Sequence, residues 1–267
     1  MSVQETTQTL SGESQGTFQY SSTASASECT CPIHQTETRP FTAPLGLQFA
    51  GEVEARSIPE STARSIYDAH HSYMSGEDMH SANIEHHGIF YQGNLVGAVT
   101  YRAPLGRRRL DWNNAGDLVP RPASELKLDE LPSPMSGRAK RFMDPPSEDD
   151  ITRSEVFGGT EIMELNRICI GVDMPNLASC GLARSQDTFL KSSSCPSDTE
   201  FFLTLVRADF DASMIKALAD RGWTLRSVSE PTEAGNREHK TINDEYKWVW
   251  VCPVDVVEEQ QKTLNDW

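Results

Sequence analysis

The chain has 267 residues and a formal net charge of −15, with 24 basic side chains (17 Arg and 7 Lys) against 39 acidic ones. That length holds one ordinary domain with tails, or one domain carrying a large insertion, so a sizeable core is available. No run approaches the roughly 20 apolar residues of a membrane span, and no basic-then-apolar leader opens the chain, so a cytoplasmic protein without membrane contact is expected.

An acidic surface poor in lysine is what a protein soluble at very high salt would show, which points to a halophilic host or its virus. Acidity normally argues against nucleic acid, whose binding is driven by Lys and Arg. In molar salt, screening is nearly complete beyond about 3 Å, so net charge is a weak veto there. Six cysteines, Cys29, Cys31, Cys169, Cys180, Cys195 and Cys252, lack a disulfide-framework spacing and read as reduced thiols. Cys29, Cys31 and His34 offer three ligands without a fourth nearby, so no metal site is expected.

Residues 1–44 are rich in Ser, Thr, Gln and Glu and form a disordered tail, with too little apolar surface to offset ordering. A domain spans 45–255, opening on a strand around Leu45 to Val53. Ser57-Ile58-Pro59-Glu60 reads as a capping box ahead of Ala63, Ile66, Tyr67, His70 and Met74 at helical spacing. His70 and His71 are candidate general bases; the alternative packs His70 on the apolar face and leaves His71 solvated. His80, His86 and His87 fall in a polar connection and carry no assigned role. Residues 88–101 form a β-hairpin about Gln92-Gly93-Asn94. From 103 to 157 periodicity gives way to prolines and mixed charge, an irregular insertion. Its Arg107, Arg108 and Arg109 are a candidate phosphate contact or a solvated charge run balanced by nearby acids.

The central stretch carries most of the chemistry. Ile162, Leu165, Ile168 and Ile170 form a strand, Asp173 to Asn176 break it, and a helix starts near Asn176. Ser179 and Gly181 in its first turn let a ligand approach free amides at the positive end of the helix dipole, a seat for a diphosphate. Beyond it come a strand over 200–209, a helix from Ala212 to Arg221 capped by Asp211, a closing strand over 246–253, and an acidic tail over 256–267.

Ala178-Ser179-Cys180-Gly181-Leu182-Ala183 after that strand resembles the central motif of the GNAT acyltransferases. Glu164-Leu165-x-Arg167, Asp173-x-Pro175-Asn176, Ser179 and Leu182 look more specifically like the Mom-like branch, whose members modify adenine in viral DNA. The His70-His71-Ser72-Tyr73 element and Ala208-Asp209 are similar to further Mom-like elements, while Arg207, Ser213 and Leu218 stand where a tyrosine, a histidine and a tyrosine are usual. The resemblance implies an α/β fold, a GNAT-like mixed sheet flanked by helices on both faces, with the long insertion within it. It implies acetyl-CoA or a related acyl-CoA as donor, on Ile168, Cys169, Ile170, Asn176, Ser179, Gly181, Leu182 and Ala183. His70, His71, Tyr73, Arg167 and Asp209 would act on the acceptor, with DNA on Arg107 to Arg109. Three readings follow: transfer to the exocyclic amine of adenine in DNA, N-acetylation of a small amine or protein, or acyl-CoA binding without catalysis.

Overall fold

A computed structural model describes residues 52–71, 79, 83–131, 142–172, 174–208, 213–231 and 246–265. The N-terminal tail, Cys29, Cys31, His34, Tyr73, Met74, His80, Asp173, Asp209 and Asp211 lie outside the described residues.

The chain opens with β1 (Val53–Ser57) and α1 (Glu60–His70). Ala63, Ile66 and Tyr67 are buried as the helical spacing requires. The capping box does not form: Ser57 is the last residue of β1, opposite His87, and Pro59 takes the N-cap without a side-chain hydrogen bond. Pairing in the sheet has claimed the serine's position. The hairpin is β2 (Asn83–Tyr91) and β3 (Asn94–Arg102), joined by Gln92 and Gly93, with φ of 48° and 81°. Two successive positive φ values give the turn the twist of a two-residue hairpin, and glycine accepts this without a Cβ clash. β2 begins earlier than expected, so His86 and His87 belong to a strand and not to a polar connection.

Residues 103–157 are not irregular throughout. β4 (Arg108–Asn113), β5 (Leu118–Val119) and β6 (Ile151–Phe157) make a small antiparallel sheet in the order β5-β4-β6, with a short α2 (Ala123–Leu126) beside it. Prolines punctuate the connections of this sheet and obscure its alternation. The rest of the domain is β7 (Ile162–Ile170), α3 (Leu177–Leu190), β8 (Phe201–Arg207), α4 (Ser213–Asp220), β9 (Thr224–Ser229), β10 (Lys247–Pro253) and α5 (Val254–Asn265). β9 escapes the sequence pattern because it buries Arg226 and Ser227 among its apolar residues. The expected tail over 256–267 is mostly α5, which starts where Val254 N–H donates to Glu200 O (2.9 Å) and buries Val257.

Seven strands form one sheet, β1-β2-β3-β7-β8-β10-β9, in which only β7 and β8 run parallel. The fold is thus a mixed α/β sheet with layers on both faces. α3 lies over one face, flanked by α4 and α5. α1 covers β2, β3 and β7 on the other, through Tyr67, Ala98 and Cys169. On that second face the small sheet packs Leu110, Trp112 and Phe157 against Phe201, Leu203, Val249 and Val251. Among the described residues no helix is long and apolar enough to cross a membrane.

Candidate active site

β7 and β8 pair from Ile162 and Phe201 to Leu165 and Thr204, and there the ladder stops, although β7 runs on to Ile170 and β8 to Arg207. Each strand stays paired on its other side. β7 keeps β3 as far as Ile170 opposite Gly97, and β8 keeps β10 as far as Arg207 opposite Lys247. The halves of the sheet therefore part in a wedge, with Thr204 Oγ1 donating to Leu165 O (2.9 Å) at its apex. Gly171 N–H points to β3, donating to Val96 O at 2.9 Å. Strand alternation turns the polar backbone of Ile168 and Ile170 the other way, into the wedge.

α3 starts at the same end of β7. Asn176 is its N-cap at φ 67°, Leu177 N–H is taken by Met174 O (3.1 Å) and Cys180 N–H by Asn176 O (3.0 Å). Helix geometry leaves the first-turn amides of Ala178 and Ser179 without intrahelical acceptors, at the end where the dipole is positive. The Ser179 hydroxyl donates to Asn176 O (3.0 Å). Gly181 serves packing: a Cβ there would lie 2.9 Å from Ile89 Cγ2, so the missing side chain lets α3 settle on β2. Leu182 and Ala183 are buried, and their amides, like that of Gly181, lie within the helical ladder. Of the expected diphosphate seat, the open part is the amides of Ala178 and Ser179.

On the α1 face His71 and Arg167 come together. The Arg167 guanidinium lies over the Tyr67 ring, 5.4 Å from its centroid, and the Tyr67 and His71 rings meet edge to face at 5.8 Å. Burial, with the Arg167 charge adding to it, holds the His71 imidazole down to about 4. His70 and His71 are both partly buried, and His71 is a weak base. Beside them Thr100 Oγ1 shares hydrogen bonds with Tyr67 Oη (2.7 Å) and His86 Nδ1 (2.9 Å).

The opposite face holds a second buried chain. His87 Nε2 lies 2.8 Å from Glu85 Oε1, His87 Nδ1 3.0 Å from Ser185 Oγ, and Ser185 Oγ 2.9 Å from Tyr101 Oη. An ionised carboxylate only accepts, so Nε2 carries the proton facing Glu85. In the neutral tautomer Ser185 then donates to Nδ1 and Tyr101 donates to Ser185, and every group is satisfied. Ser192 Oγ donates to Glu85 Oε2 (2.7 Å). Burial opposes the charge on Glu85, yet hydrogen bonds from Ser192 and His87 hold its carboxyl below the usual range. His87 and Ser185 are fully buried and Tyr101 stacks on Phe189 at 4.2 Å, so this order of Glu, His and Ser locks α3 to the sheet. Period-two alternation through Glu85, His87, Ile89 and Tyr91 was its signal in the sequence.

Arg107, Arg108 and Arg109 do not make one patch. Arg107 precedes β4, alternation along β4 sends Arg108 and Arg109 to opposite faces, and the Arg109 guanidinium is already paired with Glu125 (2.6 Å) and Asp111 (3.2 Å). Among the described residues Cys169, Cys180, Cys195 and Cys252 are not joined in disulfides. Among the described residues no group of three His, Cys, Asp or Glu could hold a metal ion.

No family model matches this chain, and none of the curated proteins does. Solved structures with a similar course include a GNAT family acetyltransferase from Elizabethkingia anophelis with acetyl-CoA bound, at 9% identity and TM-score 0.42, covering 76% of this chain and 98% of that one. An acetyltransferase from Bacillus subtilis in complex with CoA gives 5% identity and TM-score 0.41, covering 75% and 98%. The spermidine/spermine N-acetyltransferase SpeG from Vibrio cholerae gives 10% and 0.40, covering 79% and 99%. The likeness is too loose to transfer an activity, a ligand or a residue's role.

Proposed function

We propose that this chain is an acyltransferase that takes an acyl group from acetyl-CoA or a related acyl-CoA and passes it to an amine. The observation carrying this is the wedge: an unpaired edge of β7 ending beside a helix N-terminus with open amides. The free edge at Ile168 and Ile170 suits an extended amide-bearing chain, which adds to a sheet as a strand would. Ala178 and Ser179 N–H suit a diphosphate. A β7 amide directed at a thioester oxygen would stabilise the charge that develops there. Bound acyl-CoA supplies an activated carbonyl, on which the new C–N bond forms as the C–S bond breaks; the amine's proton leaves to a base or water, and the sulfur departs to become the CoA thiol.

A specific observation keeps transfer to adenine in DNA as the second reading. A His71 held near 4 is a poor partner for an alkylammonium, which must lose a proton before it can attack. A ring amine such as adenine's is already neutral. Such a base would have to be flipped out or single-stranded, at a few kcal/mol of unstacking. In this reading His70, His71 and Arg167 border the acceptor, and Tyr73 and Asp209, outside the described residues, are further candidates.

Calorimetric titration of the full chain with CoA tests the main reading. Ser179→Asp sets a carboxylate in the first turn, where it favours the helix dipole but repels a diphosphate. CoA affinity should fall at least about tenfold, or about 1.4 kcal/mol, while the melting temperature without CoA holds or rises. Equal affinity in variant and wild type would place the donor elsewhere. Mass spectrometry of nucleosides from DNA incubated with acetyl-CoA and the protein decides the adenine reading.

A further inference from the structure

β6 is the outer strand of the small sheet: among the described residues it has β4 on one side and no strand on the other. Thr152, Arg153, Ser154, Glu155 and Val156 are all exposed, Val156 to 58%. A strand lying on a covered face buries every second residue, so neither face of this one is closed off. The ladder to β4 is regular from Arg153 to Phe157 and skips Thr152, whose hydroxyl donates to Asn113 O (2.8 Å). Such an edge offers its outward N–H and C=O groups to another strand.

The sequence of β6 selects what fits there. Outward from Ser154, Arg153 is matched by Glu155, Thr152 by Val156 and Ile151 by Phe157. These are two opposite charges, then two β-branched side chains, then two apolar ones. We propose that this edge is a dimer interface, in which β6 of a second copy adds antiparallel about Ser154 and joins two small sheets into one of six strands. Arg153 then stands across from Glu155 twice, because a two-fold contact repeats itself.

Antiparallel pairs alternate between hydrogen-bonded and non-hydrogen-bonded, so an exact two-fold axis passes through one pair. Centring on Arg153 or on Glu155 would oppose two guanidinium groups or two carboxylates, and charge thus specifies the register. Arg153 and Glu155 already share a face: Arg153 Nε lies 3.4 Å from Glu155 Oε1, with both side chains about half exposed. The guanidinium rests on the Trp112 ring, 3.9 Å from its centroid, which holds it in place for a cross-strand partner. β6 carries no net charge in a chain whose total is −15, so copies that repel elsewhere can meet here. Phe157 packs on Phe201 (4.8 Å) where β8 starts, whereas the wedge opens where β8 ends. The copies therefore meet away from the candidate site and leave both wedges open, and the dimer is independent of the acyl-transfer reading.

Sedimentation equilibrium of the full chain at about 0.15 M salt tests this. The wild type should approach twice the chain mass as its concentration rises. Arg153→Glu and Glu155→Arg each set like charges opposite one another twice, and each should weaken dimerisation at least about tenfold. In an equimolar mixture of the two variants every cross-strand pair is again of opposite charge, so the mixture should dimerise at least as well as the wild type. A merely structural role for either residue would not give that recovery. A wild type that stays monomeric at the highest concentration reached, a dimer that neither variant weakens, or a mixture that fails to recover overturns the proposal. CoA titration of the same samples judges the acyl-transfer reading separately.

Discussion

His71 couples the candidate site to pH. Its imidazole is held to about 4 in the folded chain, against about 6.5 when unfolded, by burial and by Arg167. Between those values the unfolded chain binds the extra proton, so stability rises with pH from about 4 to 6.5 and is level above. Acidification should therefore cost up to about 3 kcal/mol through this residue alone. Denaturant unfolding across that range measures the slope, and His71→Gln should flatten it. An unchanged slope in the variant would place the proton uptake elsewhere. For the same reason a rate profile rising through the ordinary histidine range would have to come from a group other than His71.

Among the elements, α3 has two duties that its sequence does not separate. Its first turn presents open amides, while its body must lie close on β2. Gly181 belongs to the second duty, since its absent Cβ is met by Ile89 at 2.9 Å. Alanine is the better helix former by about 0.8–1.0 kcal/mol, but overpacking at such contacts costs about 1–3 kcal/mol. Gly181→Ala should therefore destabilise the fold by up to about 2 kcal/mol in thermal unfolding, with CoA affinity nearly unchanged when measured well below the melting temperature. A stabilised variant would show that α3 can shift outward without loss. The buried order Glu85, His87, Ser185 and Tyr101 holds the same helix in register with the sheet, which keeps the first turn level with the end of β7.

For the molecule as a whole, the small sheet is tied to the main one by a buried ion pair as well as by apolar packing. Arg226 of β9 donates to Arg109 O (3.0 and 2.7 Å) and to Asp111 Oδ2 (2.7 Å), and Ser154 also donates to Asp111. Burial pulls the guanidinium down to about 10, and Asp111 opposes that pull. Removing one partner of such a pair strands the other, typically at about 3–5 kcal/mol, whereas replacing both with apolar groups is often neutral. Arg226→Met should cost an amount of that order in denaturant unfolding, and adding Asp111→Leu should recover much of it. If the double variant is no more stable than the single one, the pair is not what ties the two sheets together.

By itself the sequence determined the elements whose signal is local. Apolar periodicity placed α1 through Ala63, Ile66 and Tyr67, the hairpin about Gln92-Gly93, the succession of β7 and α3 at Asn176, and the strands β8 and β10. Tertiary structure decided everything that depends on which face a residue meets. It gave Ser57 to a ladder and not to a cap, and set Gly181 against Ile89. It set Arg108 and Arg109 on opposite faces, and it made strands of 108–113 and 151–157, whose buried partners lie far along the chain in β8 and β10. His87 and Arg226 escaped notice because a polar residue reads as solvated until its partner is known, and the partners Ser185 and Asp111 stand 98 and 115 residues away. The wedge is the extreme case: a strand's pattern of side chains records which way it faces, but not where its neighbour turns aside.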